Sequence, residues 1–192
     1  LMLNLLHRIS SHCVYLHENT SQRVNSTFEE IVDGLAEKGY AVADQFLVPE
    51  EVKTILDLED FQKGIQHFKK AGIGKSTLHQ INESVRGDYI HWIDKKTAQQ
   101  PLLIYLHRLE QLIQYLNQSL FLSLKDYEVH MTIYPEGSFY KRHLDQFNRD
   151  DHRKLSVICY LNENWLENHG GQLRIYPDNQ AIDFFPIAGR LV

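Results

Sequence analysis

The sequence predicts an α+β domain, with helices gathered in its first two thirds and short β runs after them. Three observations carry this. Apolar residues recur at helical spacing behind Pro101, where Leu102, Leu106, Leu109, Ile113 and Leu116 form one stripe. From Tyr127 onward the texture changes to short apolar or alternating runs broken by turn residues. Helices that precede strands, rather than alternate with them, suit packing on one side of an antiparallel sandwich. A chain of 192 residues, 43% of them hydrophobic, is enough for one domain with a sizeable core.

In order along the chain, residues 1–25 show no clear period and are rich in Ser, Asn and His. They read as a poorly ordered lead-in or a short helix before a single domain at 26–192. Ser26 and Glu29 have the spacing of a capping box, so a helix is expected to begin there. Phe28, Ile31, Val32 and Leu35 mark its buried face, and Gly39 supplies the glycine that follows a helix end. Tyr40 to Phe46 reads as a strand. Pro49 then opens a second helix, with Glu50 and Glu51 favourable near its positive end and Val52, Ile55 and Leu56 apolar. That helix is expected to run in two pieces to about Lys70. Val85 to Ile93 alternates as a strand, and so does Tyr127 to Tyr134. The run Leu155 to Leu161 and the block Gly170 to Pro177 complete the β texture.

Composition removes several functions. A net charge of -5 argues against nonspecific nucleic-acid binding, which needs clustered Lys and Arg. Leu1 to Leu6 is apolar but far too short to span a membrane. Two cysteines, Cys13 and Cys159, do not make a disulfide framework, and a reducing cytoplasm is the simpler setting. Gly72-Ile73-Gly74-Lys75-Ser76-Thr77 lacks the leading glycine of a phosphate loop, because Lys69 stands at that position. It reads as a polar connection. The chain does not begin with Met, and further residues are expected before Leu1.

The chemistry centres on His143-Leu144-Asp145, just after the turn Pro135-Glu136-Gly137. In extended chain, residues two apart project from the same face, so this imidazole and carboxylate can meet at one point. One nitrogen and one oxygen donor suit a borderline divalent metal. With a second histidine they would make the facial triad of non-haem iron oxygenases. The bare spacing arises by chance about once in a chain this rich in histidine and aspartate, so the surrounding blocks must carry the reading.

Four such blocks stand in order: Val85-Arg86-Gly87-Asp88-Tyr89-Ile90-His91-Trp92-Ile93; Tyr134-Pro135 with Tyr140-x-x-His143-x-Asp145; Tyr160-Leu161-Asn162-x-x-Trp165; and Gly170-Gly171-x-Leu173-Arg174-Ile175-Tyr176-Pro177. Together they resemble the 2-oxoglutarate- and iron(II)-dependent oxygenases. Within that superfamily they most resemble prolyl hydroxylases akin to those of hypoxia-inducible factor, of bacterial type, over about residues 34–192.

The resemblance implies a double-stranded β-helix, or jelly roll, with supporting N-terminal helices. It implies His143 and Asp145 as iron ligands, and Tyr134, Tyr140, Tyr160 and Leu173 around 2-oxoglutarate. It places Arg86, Asp88 and Arg153 on the substrate side, where an Asp88–Arg153 ion pair is expected to tie loop to barrel. Fe(II), 2-oxoglutarate and O2 are the implied cofactors and cosubstrates, with ascorbate as a further candidate. The implied reaction is hydroxylation of a prolyl residue in a protein or peptide, with release of succinate and CO2. A component of the translation apparatus is the favoured target. The family's third iron ligand and its 2-oxoglutarate-binding arginine come from strands after the segment that matches Gly189 to Val192, so C-terminal strands are expected beyond Val192. His152 and His169 read as surface histidines. Two other functions compete: a catalytically silent jelly-roll binding module, and a hydroxylase of a small molecule or free amino acid.

Overall fold

Helix α1 (Cys13–Lys38) begins well before Ser26 in the computed structural model, which describes residues 13–72, 80–145 and 153–192. Ser26 is therefore inside the helix and caps nothing. Its hydroxyl donates back to the Arg23 carbonyl at 2.9 Å, and the Thr27 hydroxyl does the same at 3.0 Å. The far end follows expectation. Gly39 takes a left-handed φ of +74° and returns its N–H to the Leu35 carbonyl at 3.1 Å, which closes the helix. The segment Gly74 to Thr77 and His152 lie outside the described residues.

Pro49 sets the first turn of α2 (Pro49–Leu56), and α3 (Glu59–Gln62) follows after a break, so there are two pieces as expected, but they stop short of Lys70, which is in a strand with Lys69. Helix α4 (Gln100–Leu120) carries the longest apolar stripe. Leu102, Leu106, Leu109 and Leu116 are buried there, Ile113 is half-buried, and Tyr105 and Leu112 join them. Burying each such aliphatic side chain is worth about 1.5–3 kcal/mol. Both earlier helices pack on α4. Phe28 of α1 meets Tyr115 at 5.7 Å between ring centres, and Phe46, just before α2, meets Tyr105 edge-on at 6.2 Å.

A polar clasp reinforces the second contact. Arg108 of α4 donates to the Phe46 carbonyl at 2.6 Å and to Glu51 Oε2 at 2.8 Å, and its other nitrogen reaches Glu51 Oε1. Glu51 Oε2 also accepts the Val48 N–H at 3.0 Å, so one carboxylate caps α2 and holds α4. Both side chains are mostly buried.

The first sheet runs in the order β1 (Lys69–Lys70), β2 (Tyr89–Trp92), β3 (His130–Ile133), antiparallel throughout. Its register pairs His91 with Met131 and Ile90 with Thr132. Met131 is wholly buried in the core shared with the helices, so the alternation of side chains defines the other face by Ile90, Trp92, His130 and Thr132. The second sheet pairs β4 (Leu173–Ile175) with β5 (Ile182–Phe184), and Arg174 bridges to Asp183 across it at 2.6 Å.

Two expected strands resolve differently. Tyr40 to Phe46 contributes a single antiparallel bridge, Ala43 with Leu191. Leu155 to Leu161 is extended and pairs through Cys159, also with Leu191. Leu191 and Val192 thus lie between an early segment at Ala43 and a late one at Cys159. Ala43 N–H donates to Leu191 O at 2.9 Å, and Ile158 and Val192 exchange two hydrogen bonds of 2.8 Å. The antiparallel pairing is local because the turn residues around it, Gln45 and Gly189, take left-handed φ angles.

Gly189 is fixed by a close approach. At φ +80°, a Cβ there would stand 2.1 Å from the Leu47 carbonyl oxygen. Gly39 has a similar φ but open space around it. Gly39→Ala should cost about 1–2 kcal/mol from backbone strain alone, and Gly189→Ala clearly more, read as denaturation midpoints; equal costs would remove the steric argument. Arg108→Ala should destabilise by roughly 2–4 kcal/mol, since it strands a shielded carboxylate and a carbonyl.

Candidate metal centre

The turn after β3 builds the site. Pro135 O accepts the Ser138 N–H at 3.0 Å and its hydroxyl at 2.7 Å, while Gly137 takes φ +74°. Beyond this turn the strand pairing resumes. Gly87 N–H donates to Phe139 O at 2.8 Å, Lys141 N–H donates to Val85 O at 2.9 Å, and Arg86 bridges Tyr140. A Cβ on Gly87 would meet Ser138 Cβ at 3.0 Å, so a glycine is what lets the two segments close. Two blocks distant in sequence are thereby laid side by side.

Asp88 is wholly buried and is met by Arg86 with two hydrogen bonds, Nε to Oδ1 at 2.7 Å and Nη2 to Oδ2 at 2.5 Å. The guanidinium then lies 4.2 Å from the centre of the Tyr140 ring. Tyr140 stacks on His143, with centroids 3.7 Å apart and planes 17° off parallel. A chain of contacts therefore runs from the buried carboxylate to the candidate ligand. The expected Asp88–Arg153 pair is replaced. Both Asp88 oxygens accept from Arg86, two residues away on extended chain, and Arg153 approaches Asp145 at 4.0 Å.

His143 and Asp145 do meet. His143 Nδ1 lies 2.7 Å from the Lys141 carbonyl, which only accepts, so that nitrogen carries the proton. In the neutral ring this leaves a lone pair on Nε2, which points at Asp145 Oδ1 at 3.0 Å. Two acceptors facing each other at that distance need a proton or a cation between them. Metal bonds of about 2.1 Å at right angles would put adjacent donors roughly 3.0 Å apart, so the pair fits an octahedral divalent ion. A backbone carbonyl that orients the ring through its other nitrogen is the usual support of a metal-binding histidine. Ser156 donates its hydroxyl to Asp145 Oδ2. Leu144, Asp145 and the stretch from Arg153 to Ser156 line a shallow, open concavity.

The remaining expected residues gather with different closeness. Desolvation, with the Asp88 carboxylate next, holds the Tyr134 phenol well above its ordinary pKa; Arg86, Tyr140 and Tyr160 also act on it. Burial does the same for Tyr160. Both therefore stay protonated and can donate to an anion. Leu173 belongs to the second sheet, opposite Phe184. That sheet is fastened to the site by Arg142, whose guanidinium lies 3.9 Å from the centre of the Tyr176 ring. His169 accepts the Leu166 N–H at 3.2 Å, a local turn contact that suits a surface histidine. The sequence reading missed Ser156 and Arg142. Ser156 had a signal, as the small hydroxyl within an otherwise apolar run; Arg142 had none.

Known proteins resemble this chain in sequence and in fold. The 2OG-Fe(II) oxygenase superfamily model matches residues 129–192. The chain is 29% identical to a hypoxia-inducible factor prolyl hydroxylase of Caenorhabditis elegans over 92% of its length, but spans only 26% of that protein. It is 32% identical to human prolyl hydroxylase EGLN3, covering 85% of this chain and 71% of the relative. Among solved structures, a Pseudomonas putida prolyl-4-hydroxylase superposes with a TM-score of 0.75 at 36% identity, covering 86% of this chain and 84% of that one. A Trichoplax adhaerens prolyl hydroxylase, in complex with a hypoxia inducible factor peptide fragment, also scores 0.75, at 29% identity over 90% and 79% of the two chains. With its sequence and its fold both matched along most of their length, the chain belongs to the prolyl hydroxylase family of 2-oxoglutarate- and iron(II)-dependent oxygenases.

Proposed function

We propose that this chain carries the core of an Fe(II)- and 2-oxoglutarate-dependent dioxygenase that hydroxylates a prolyl residue of a protein substrate. The observation that carries the reading is the His143–Asp145 pair at 3.0 Å, its imidazole fixed by the Lys141 carbonyl. His143 Nε2 and Asp145 Oδ1 would hold the iron. When bound, iron with 2-oxoglutarate and O2 supplies the oxidising chemistry, in which 2-oxoglutarate leaves as succinate and CO2.

The chain's own residues prepare that chemistry. Tyr140 fixes the plane of the His143 ring from one side, and Arg86 fixes Tyr140. Ser156 orients Asp145 by occupying its second oxygen. Tyr134 and Tyr160, kept protonated, are suited to donate to the cosubstrate's carboxylate. Leu173 would supply an apolar wall. Arg86 and Arg153 would lie toward the peptide, whereas Asp88, expected beside them, is wholly buried behind Arg86 and acts only by holding that guanidinium.

The finer parts of the proposal rest on the sequence resemblance. They are a double-stranded β-helix completed beyond Val192, where a third iron ligand and a 2-oxoglutarate-binding arginine would be placed; a target in the translation apparatus; and ascorbate as auxiliary reductant. A reducing, cytoplasmic setting belongs with them. It is supported by the low cysteine count, two in 192 residues. Among the described residues no helix is long and apolar enough to cross a membrane.

In the complete polypeptide, His143→Ala should abolish Fe(II)-dependent succinate formation with a proline-bearing peptide; undiminished succinate would remove His143 from the site. The contact chain makes a second claim. Asp88→Asn and Tyr140→Leu should each weaken Fe(II) binding about 10–100-fold, the range for groups that support a ligand. Because both act through the same stack, the double variant should be little worse than either alone. Fully additive losses, measured by metal titration, would break the chain into unrelated contacts.

A further inference from the structure

A second donor cluster sits on the opposite side of the first sheet. Asp60 comes from the short helix α3, His67 from the turn that follows it, and His91 from β2, the central strand. Each offers one ligand atom, and the three atoms lie within 4.8 Å of one another. His67 Nε2 is 2.9 Å from Asp60 Oδ1, and the two imidazoles approach to 5.0 Å between centroids.

The sheet register separates this cluster from His143 and its neighbours. Strand side chains alternate, so His91 shares a face with its partner Met131, the face turned to the helical core. Asp88, two residues before Ile90, falls on the other face with Thr132 and His130. The clasp on Arg86 and the stack on His143 begin from that face. His67 and His91 are therefore not spare ligands of the first site.

We infer that Asp60, His67 and His91 form a second metal site, for Zn2+ or a similar late first-row divalent ion. Two imidazoles and a carboxylate are the donor types such ions select, and three protein donors leave one tetrahedral position for water. A tetrahedral ion with bonds near 2.0–2.1 Å wants donors roughly 3.3 Å apart. From separations of 4.8 Å or less, small side-chain rotations suffice. The backing is rigid and apolar. The buried Phe68 ring packs 5.7 Å from His91 and 6.1 Å from Phe61. Asp60 and His67 sit in one short segment, whereas His91 is on the sheet. A bound ion would thus staple the α3 segment to the central strand, and its binding energy would appear as stability.

The test uses the full chain with His143→Ala and Asp145→Ala, so that the first site is disabled, stripped of metal and titrated with ZnCl2 against a colorimetric chelator. The expected result is uptake of one zinc per chain and a higher thermal midpoint with zinc than without. His67→Ala and Asp60→Asn, both outside the strands, should each weaken uptake about a hundredfold or more and abolish the midpoint shift, since altering a mere supporting group already costs about 10–100-fold. His91→Ala should do the same. No zinc uptake in the doubly substituted background, or uptake that His67→Ala leaves unchanged, would overturn the proposal. Neither result bears on His143, whose reading stands or falls on succinate formation.

Discussion

A carboxylate shut away from water must be met by a cation and by hydrogen bonds, or the chain will not bury it. Asp88 is in that position, and Arg86 meets it with both edges of its guanidinium. The pair does more than neutralise itself. It holds the guanidinium as a flat platform, on which Tyr140 rests, and Tyr140 in turn sets the plane of the His143 ring. An exposed histidine on a turn would ordinarily sample several rotamers, with entropy to lose on binding a metal. Here that freedom is restrained from beneath by packing and from the side by the Lys141 carbonyl. The orientation of the candidate ligand is thus inherited from a charge buried several side chains away.

The sheet lets one small domain keep its core and its chemistry apart. Pairing β2 with β3 in a single register gives one face to Met131 and the helices and the other to Thr132, His130 and the site. A slip by one residue would exchange the two faces, putting Met131 in water and Thr132 in the core. The Pro135–Ser138 turn and the close approach of Gly87 to Ser138 help fix that register, because they dictate where pairing resumes.

Much of this was legible in the sequence, and the reasons differ by element. The stripe on α4 and the alternation in β2 and β3 are repeated signals, so both types of element were readable before any contact was known. The start of α1 was misread because Ser26 and Glu29 imitate a cap, and a hydroxyl that bonds back to its own helix has the same local sequence. The strand expected at Tyr40 to Phe46 reduced to one bridge because Gln45 and Gly189, in left-handed conformations beside it, turn the two segments away from further pairing. Within the site, His143 and Asp145 share a local spacing and could be named together. The partner of Asp88 could not be chosen that way, since either Arg86 or Arg153 satisfies the charge and only geometry selects between them. Asp60, His67 and His91 have no spacing in common. They are brought together by the pairing of β1 with β2, which no local pattern announces.

The place of Leu191 has a consequence for how the protein comes into being. It hydrogen-bonds to Ala43, near the first helix, and bridges Cys159, in the last third of the chain. A ribosome delivers residues in order, so the helices and the first sheet can collapse while the slot between Ala43 and Cys159 still lacks its occupant. Closure across so long a separation is entropically slow. The nascent polypeptide therefore waits half-built, with two unsatisfied strand edges, until Leu191 has left the exit tunnel.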